Sequence, residues 1–386
     1  MGERDMRMMK IIGKELIKFS KVISIIGKEY YNNSTDEQLI EALSKYHNFN
    51  KVYSDKMSDI SNNHVDFDLS IIVPFYNAPE EYIHTCLESL IKQKTRFKYE
   101  IICINDGSKN NTLEELEKYK KKYENIRVIN QSNQGISITR NKGVELARGR
   151  YIGFVDQDDW VDEKYVELLI DNAYKEDADI VKCSYSTLKG EKKISQQRVL
   201  NKRIKGYMGD EIFKFTGMIW SGVYKRELFY NVRFPRKYWF EDMVTRFLLY
   251  RKSNMFVSVE NELYFKRKHN SNASVIVWKN NNNKSLEHIY LAYQLNEYGF
   301  KLGLQQDTVL LKLLLDEFGS LMWWRIKELK EEPKKEAFLL AANCLKDINI
   351  ENPRLSYSEN VLYNIFLKKN YTAWKIFCLG AWLSER

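Results

Sequence analysis

An α/β fold with a mostly parallel sheet follows from three observations. Short apolar runs alternate with amphipathic stretches between Leu69 and Val155, the links between them are short, and polar clusters recur at the carboxyl ends of the apolar runs. Strand–helix–strand alternation implies parallel strands covered by helices on both faces. Ligands of such sheets bind beyond the carboxyl ends of the strands.

The elements are read in order. Residues 1 to 67 are polar and lysine-rich. Within them Leu39, Ile40, Leu43 and Tyr46 have helical spacing, Ser34-Thr35-Asp36-Glu37 offers a cap, and a linker of Asp, Ser and Asn follows. Leu69-Ser70-Ile71-Ile72-Val73-Pro74 reads as a buried strand ended by its proline. Further strands are expected at Tyr99–Asn105, Ile126–Ile129 and Tyr151–Val155, with helices at about Glu80–Gln93, Thr112–Tyr123 and Gly135–Ala147. After about Ser274 the pattern turns helical, with candidates at Leu286–Tyr298, Asp307–Lys330, Lys334–Leu345, Glu359–Leu367 and Tyr371–Leu383. Three segments result: an N-terminal helical extension and linker over 1–67, an α/β domain over 68–275, and a C-terminal helical region over 276–386. There is no internal repeat, and low complexity is confined to Asn280–Asn283.

Composition narrows the function. Of 386 residues 44% are hydrophobic, enough for a sizeable core. The net charge of +9 suits nucleic acid, anionic lipid or phosphorylated ligands. The lysines are scattered among acids, with no arginine-rich tract and no zinc-finger spacing, so nucleic acid is not an expected partner. Five cysteines, none in a C-x-x-C pair, point to buried thiols in a reducing cytoplasm. Val22–Gly27 is too short to span a bilayer, and Lys312, Asp316 and Glu317 interrupt the longest apolar stretch, Val309–Trp324.

The chemistry lies in the clusters at the strand ends. Asp156-Gln157-Asp158-Asp159 follows an apolar run. Clustered carboxylates repel unless a cation or donors hold them, and hard oxygens suit Mg²⁺ or Mn²⁺ bridging a diphosphate; the alternative is a solvated acidic turn. Asp106-Gly107-Ser108 offers an acceptor for a base or ribose, or else a turn before the next helix. Asn133-Gln134-Gly135 opens a helix carrying Arg140, a candidate for phosphate, or else a cap with a surface arginine.

Together, Ser70–Asn77, Asn105-Asp106-Gly107-Ser108, Asn133-Gln134-Gly135 with Arg140-Asn141, and Phe154-Val155-Asp156-Gln157-Asp158-Asp159-Trp160 resemble the family 2 glycosyltransferases in order and spacing. The resemblance covers roughly Leu69 to Ser274. It implies a GT-A fold, a nucleotide-sugar donor, usually a UDP-sugar, and a divalent metal, Mn²⁺ or Mg²⁺. It puts Pro74, Tyr76 and Asp106 at the nucleoside, Arg140 near ribose or phosphates, and Asp156 and Asp158 in the metal-and-ribose motif, with Asp158 the direct ligand and Asp159 a helper. Trp220 falls in a segment that contacts the donor, although Ser221 stands where many members carry Asn. Glu241-Asp242 matches the acidic pair holding the catalytic base, with Asp242 preferred and Glu241 the alternative. Tyr264–Ser271 resembles the basic segment closing over the diphosphate, with Arg267, Lys268 or His269 neutralising the leaving UDP; His269 is alternatively a metal ligand or a structural histidine.

The implied reaction is an inverting transfer of a sugar to a carbohydrate or lipid-linked acceptor in bacterial surface polysaccharide or glycoconjugate synthesis. The rivals are an inactive sugar-nucleotide scaffold and a nucleotidyltransferase, the latter lacking its glycine-rich, lysine-bearing loop at Phe75–Pro79. Trp374, Phe377 and Trp382 beside Lys368, Lys369 and Lys375 suit either an interfacial helix on the inner face of an anionic membrane or packing against other helices. A homo-oligomer is left open.

Overall fold

A computed structural model describes residues 3–26, 34–50, 52–53, 60–61, 64–269, 282–348 and 350–385. Most of the expected linker, the boundary near 275, and Asn270 and Ser271 of the basic segment lie outside the described residues. The chain divides into two units: Val52–Asn272, and Met1–Lys51 with Ala273–Arg386.

The elements of the chain begin with helices α1 (Glu3–Ile26) and α2 (Asp36–Ser44). Then follow β1 (Phe67–Phe75), α3 (Glu80–Ile91), β2 (Tyr99–Asp106), α4 (Thr112–Lys122), β3 (Ile126–Gln131), α5 (Ile136–Leu146) and β4 (Gly149–Phe154). The order β3-β2-β1-β4 is parallel throughout. This is the expected alternation, and it leaves every strand's carboxyl end on one edge. Leu69, Ile71, Val73, Ile101 and Cys103 are fully buried between the covering helices.

The strand does not stop at Pro74; β1 runs on to Phe75. Ile72 accepts from the N–H of Val155, so residues of its parity face β4. The β1–β4 register ends at Ile72 opposite Phe154. Pro74, two residues on, therefore lacks an N–H where no partner remains, and a proline is tolerated in a central strand.

The second part of this unit is mixed. It contains β5 (Trp160–Val161), α6 (Tyr165–Lys175), β6 (Ile180–Lys189), β7 (Lys192–Gln197), β8 (Lys202–Lys205), β9 (Gly222–Lys225) and β10 (Met255–Arg267). Strand β9 joins β4 to β6 antiparallel to both, and β10 pairs parallel with β6 and antiparallel with β5. The whole is a GT-A fold.

The other unit is helical. Thr35 caps α2 with a reciprocal capping box through Gln38. Helices α7 (Glu287–Lys301), α8 (Thr308–Asp316), α9 (Met322–Ile326), α10 (Glu331–Lys346), α11 (Tyr357–Leu367) and α12 (Tyr371–Glu385) follow. The single helix expected over Asp307–Lys330 is broken by a π-turn at Glu317–Leu321, with Gly319 non-helical at ψ −128°. The kink frees the Phe318 carbonyl, which accepts from the indole N–H of Trp374 at 3.1 Å. Trp374 and Phe377 are buried and Trp382 stacks on Trp324, so this face of α12 packs internally, the second of its two expected roles.

Candidate active site

The first strand ends lock onto one another through neutral hydrogen bonds. Tyr76 is exposed beyond β1, its backbone N–H and C=O both held by the Gln157 amide at 2.7 and 3.2 Å. Asn77, left-handed at φ 46°, accepts from the N–H of Lys109 and takes the Ser108 hydroxyl as acceptor for its own N–H. Asp106 is 4% exposed. Its carboxylate accepts from the N–H groups of Gln134 and Gly135 at 2.8 Å each, from Gln131 at 2.8 Å and from Asn133 at 3.3 Å. A Cβ on Gly107 would lie 2.5 Å from the Asn133 nitrogen, so glycine is what lets the two loops meet.

Beyond β4, ligand atoms of Asp156, Asp158 and Asp159 lie within 4.8 Å of one another. The three divide the work. Asp159 is buried and accepts from the Tyr264 hydroxyl at 2.6 Å and the Arg267 N–H at 2.8 Å, so it fastens the end of β10. Burial and its two acidic neighbours push its carboxyl well up. Asp156 and Asp158 keep partial exposure. Asp158 faces His269 Nε2 at 2.7 Å, and burial followed by Asp156 raises its carboxyl. An oxygen-rich set with one imidazole fits a hard divalent cation. Asp156, Asp158 and Asp159 form one of two groups among the described residues that could hold such an ion, the other being Glu80, His84 and Glu115, and His269 lies against the first through Asp158.

Arg140 connects this cluster to the acidic pair. It projects from α5 with 3% exposure, donating to Asp156 at 2.9 Å, Glu241 at 2.9 Å and Asp242 at 3.4 Å. Its neighbour Asn141 exchanges two 2.8 Å bonds with the backbone of Phe234, whose ring lies under the guanidinium. Glu241 and Asp242 sit in the turn before a π-turn at Thr245–Leu249. Burial raises both carboxyls; the charge of Asp242 raises Glu241 further, while Arg140 works against both shifts. Two like charges held by one guanidinium are a setting for a general base with an elevated pKa.

Trp220 is nearly buried, stacked on Tyr264 at 4.8 Å and edge-on to Tyr185. These ring contacts are its partners among the described residues. Lys182, in the middle of β6, donates to the carbonyls of Met218 and Trp220, and burial pushes its ammonium down to about 7. Arg267 lies between the rings of Tyr82 and Trp160, at 4.4 and 5.0 Å, and donates to the Asp158 carbonyl. Lys268 is exposed, and Lys266 covers the Trp220 ring at 5.2 Å.

The structure thus gathers Asp156, Asp158, His269, Arg140, Glu241 and Asp242 into one cluster, with Tyr76 and Asp106 on the neighbouring strand ends. Pro74 is buried inside β1. Lys182 escaped sequence reasoning, and Asn141 and Lys266 were read only as members of their motifs, without these contacts. For Lys182 the signal was there: a lysine inside the apolar run Ile180-Val181-Lys182-Cys183 requires buried partners.

Residues 70–232 match the sequence profile described as Glycosyl transferase family 2. The uncharacterized glycosyltransferase YibD of Escherichia coli K12 is 32% identical over 237 residues, covering 58% of this chain and 68% of that protein. The chain belongs to glycosyltransferase family 2. The uncharacterized glycosyltransferase EpsJ of Bacillus subtilis strain 168 is also 32% identical, over 256 residues, with 62% and 73% covered. Among solved structures, S. aureus TarS 1–349 in complex with UDP superposes with a TM-score of 0.60 at 18% identity, covering 80% of this chain and 89% of that one. The same fragment in complex with UDP-GlcNAc gives 0.57 at 19% identity, with 73% and 82% covered. These likenesses speak to the fold, and family membership leaves a nucleotidyltransferase without support.

Proposed function

We propose that this family 2 glycosyltransferase moves a sugar from a UDP-sugar onto a hydroxyl of a carbohydrate or lipid-linked acceptor, with inversion, in the assembly of bacterial surface polysaccharide or glycoconjugate. The observation that carries this reading is the convergence on Arg140 of a carboxylate from the donor half, Asp156, and two from the acceptor half, Glu241 and Asp242. TarS, similar in fold, is known with UDP and with UDP-GlcNAc, which supports a uridine nucleotide donor here.

Asp156, Asp158 and His269 would hold Mn²⁺ or Mg²⁺, which when bound would neutralise charge on the diphosphate. Tyr76 and the loop held by Asp106 line the nucleoside pocket; a direct bond from Asp106 to uracil N3–H requires exchange of its longest bond, from Asn133. Asp242 takes the acceptor proton as the acceptor oxygen attacks the anomeric carbon. The bond from that carbon to the diphosphate breaks on the opposite face, and UDP leaves towards Arg267 and Lys268. Glu241 orients the acceptor, and Arg140 keeps the acidic pair ionisable. Buried free thiols suit a reducing cytoplasm, and lipid-linked acceptors place the enzyme at the inner face of the membrane.

A panel of UDP-sugars tests this. One should be hydrolysed slowly without acceptor, in a reaction that EDTA stops and Mn²⁺ restores. Failure of every UDP-sugar to react, together with no metal-dependent UDP binding, would reject the proposal.

A further inference from the structure

Helix α1 carries three separate stripes. Gly13 and Ile17 face α12, where a Cβ on Gly13 would lie 2.5 Å from the Gly380 carbonyl oxygen, and the buried Ser20 and Ser24 continue the same stripe, so small residues seat the helix closely. Arg7, Lys10, Lys14, Lys18 and Lys21, spaced three and four apart, form an exposed cationic row, and the only acid among residues 6–25 is Glu15, ion-paired with Lys18 at 2.8 Å. Met8, Ile11, Ile12, Phe19 and Val22, 45% to 64% exposed, occupy the remaining face, which they share with Glu15. At 100° per residue the apolar face lies opposite the seated one and the cations run along its flank.

A soluble helix normally buries its apolar face; here the buried stripe is the small one and the large apolar side chains face out. No described helix is long and apolar enough to cross a membrane. An apolar face flanked by lysines is the pattern of a helix lying in the plane of a lipid surface. We propose that α1 docks this enzyme on an anionic bilayer, its apolar face in the acyl boundary and the row from Arg7 to Lys21 against acidic headgroups. Charge complementarity selects the partner: a second copy of the chain covers the apolar face but brings the same basic row against itself, whereas an anionic lipid surface meets both the apolar face and the exposed lysines. Next to the last cation, Lys21, Ser24, Asn360, Asn364 and Lys368 line a groove whose donors match headgroup phosphate. The assignment rests on the membrane placement proposed above but not on the transfer chemistry. It differs from a docking role for α12, whose Trp374 and Phe377 are buried.

The 386-residue chain is floated with vesicles of equal parts phosphatidylcholine and phosphatidylglycerol, and with phosphatidylcholine alone. The parent should float with the first and stay behind with the second. Ile11→Glu with Phe19→Glu, both exposed, should lower partitioning at least about tenfold, and Lys10→Gln, Lys14→Gln and Lys18→Gln together should weaken it and its dependence on salt. Unchanged thermal unfolding and UDP binding show that the variants fold and that the donor site is intact, so failure here is distinct from failure of the catalytic reading. The inference is overturned if the parent does not float with anionic vesicles, if the apolar variant floats like the parent, or if α1 mediates a dimer in solution and no flotation occurs.

Discussion

Between β1 and β4 the polar groups at the strand ends satisfy one another: Asp106 takes four donors, Gln157 both backbone groups of Tyr76, and Ser108 the N–H of Asn77. After β9 the arrangement is the reverse. Glu241 and Asp242 press two like charges into a poorly exposed turn, restrained by the guanidinium of Arg140 from the other half. Apart from the acidic run at the end of β4, the first half is set by hydrogen bonds. The second stores charge, and its behaviour follows pH and the removal of single charges. Donor binding and proton removal are therefore separable by mutation.

The largest expected effect tests that separation directly. Asp242→Asn should slow sugar transfer at least about a hundredfold while UDP and Mn²⁺ bind normally, because general-base loss costs on the order of 10²–10⁴ in rate. Glu241→Gln should be milder; a reversed ranking in steady-state rates makes Glu241 the base. If Asp242→Asn weakens UDP binding in calorimetry as much as it slows transfer, the two halves do not act separately.

The converse change lies in the donor half. Asp158→Ala should lower Mn²⁺-dependent UDP affinity by roughly tenfold or more, since loss of even a supporting group at a metal site costs 10–100-fold. Unchanged affinity with and without Mn²⁺ would remove Asp158 from the metal site.

A subtler effect concerns pH. The Asp242 carboxyl is raised from 3.8 by burial, and Arg140 limits the rise. A base must be ionised, so transfer is lost as pH falls through this raised value, and the acid limb lies above the ordinary carboxylate range. Removing the guanidinium removes the opposing charge. Arg140→Gln should move the acid limb to higher pH. A limb that stays in place would show that Arg140 does not tune the pair.

What could be read in the sequence follows the same division. Parallel strands buried on both faces produce unbroken apolar runs, and their ends are marked by abrupt polar clusters, so β1 to β4 and the residues at their tips were visible. Arg140 was visible as a basic residue, but its partners Glu241 and Asp242 are 101 and 102 residues away, and only the fold joins them. Asp159 sat in the same acidic run as Asp158; that it accepts from β10 rather than facing a ligand depends on where Tyr264 falls. Helix α1 was hidden because its three stripes interleave lysines with apolar residues at every position. The break at Gly319 was hidden because the indole of Trp374, which takes up the freed Phe318 carbonyl, lies 56 residues beyond that acceptor.

The smallest expected effect concerns Ser221, where many family members carry Asn. Ser221 holds φ 59°, a left-handed conformation that costs a residue other than glycine roughly 1–2 kcal/mol and that Asn tolerates better. It is 1% exposed, and its hydroxyl has no hydrogen-bond partner among the described residues. Two separate penalties therefore meet at one side chain. Ser221→Gly removes both but adds chain entropy to the unfolded state, which takes back about 0.5–1 kcal/mol. Ser221→Ala removes only the unsatisfied hydroxyl. The turn is otherwise pinned, since the Ser221 carbonyl accepts from the N–H of Cys183 at 3.0 Å, so the backbone path persists in either variant. Thermal unfolding should show glycine above alanine and alanine above serine, with gains of a few degrees at most, about 2–4 °C per kcal/mol for a unit of this size. Transfer should be unchanged, because the backbone path persists and with it the bond from the Ile219 backbone to the Asp242 carboxylate. If Ser221→Gly raises the unfolding temperature but slows transfer, the strained turn serves the donor sugar, and the acceptor half carries a donor contact that the comparison between the halves denies it.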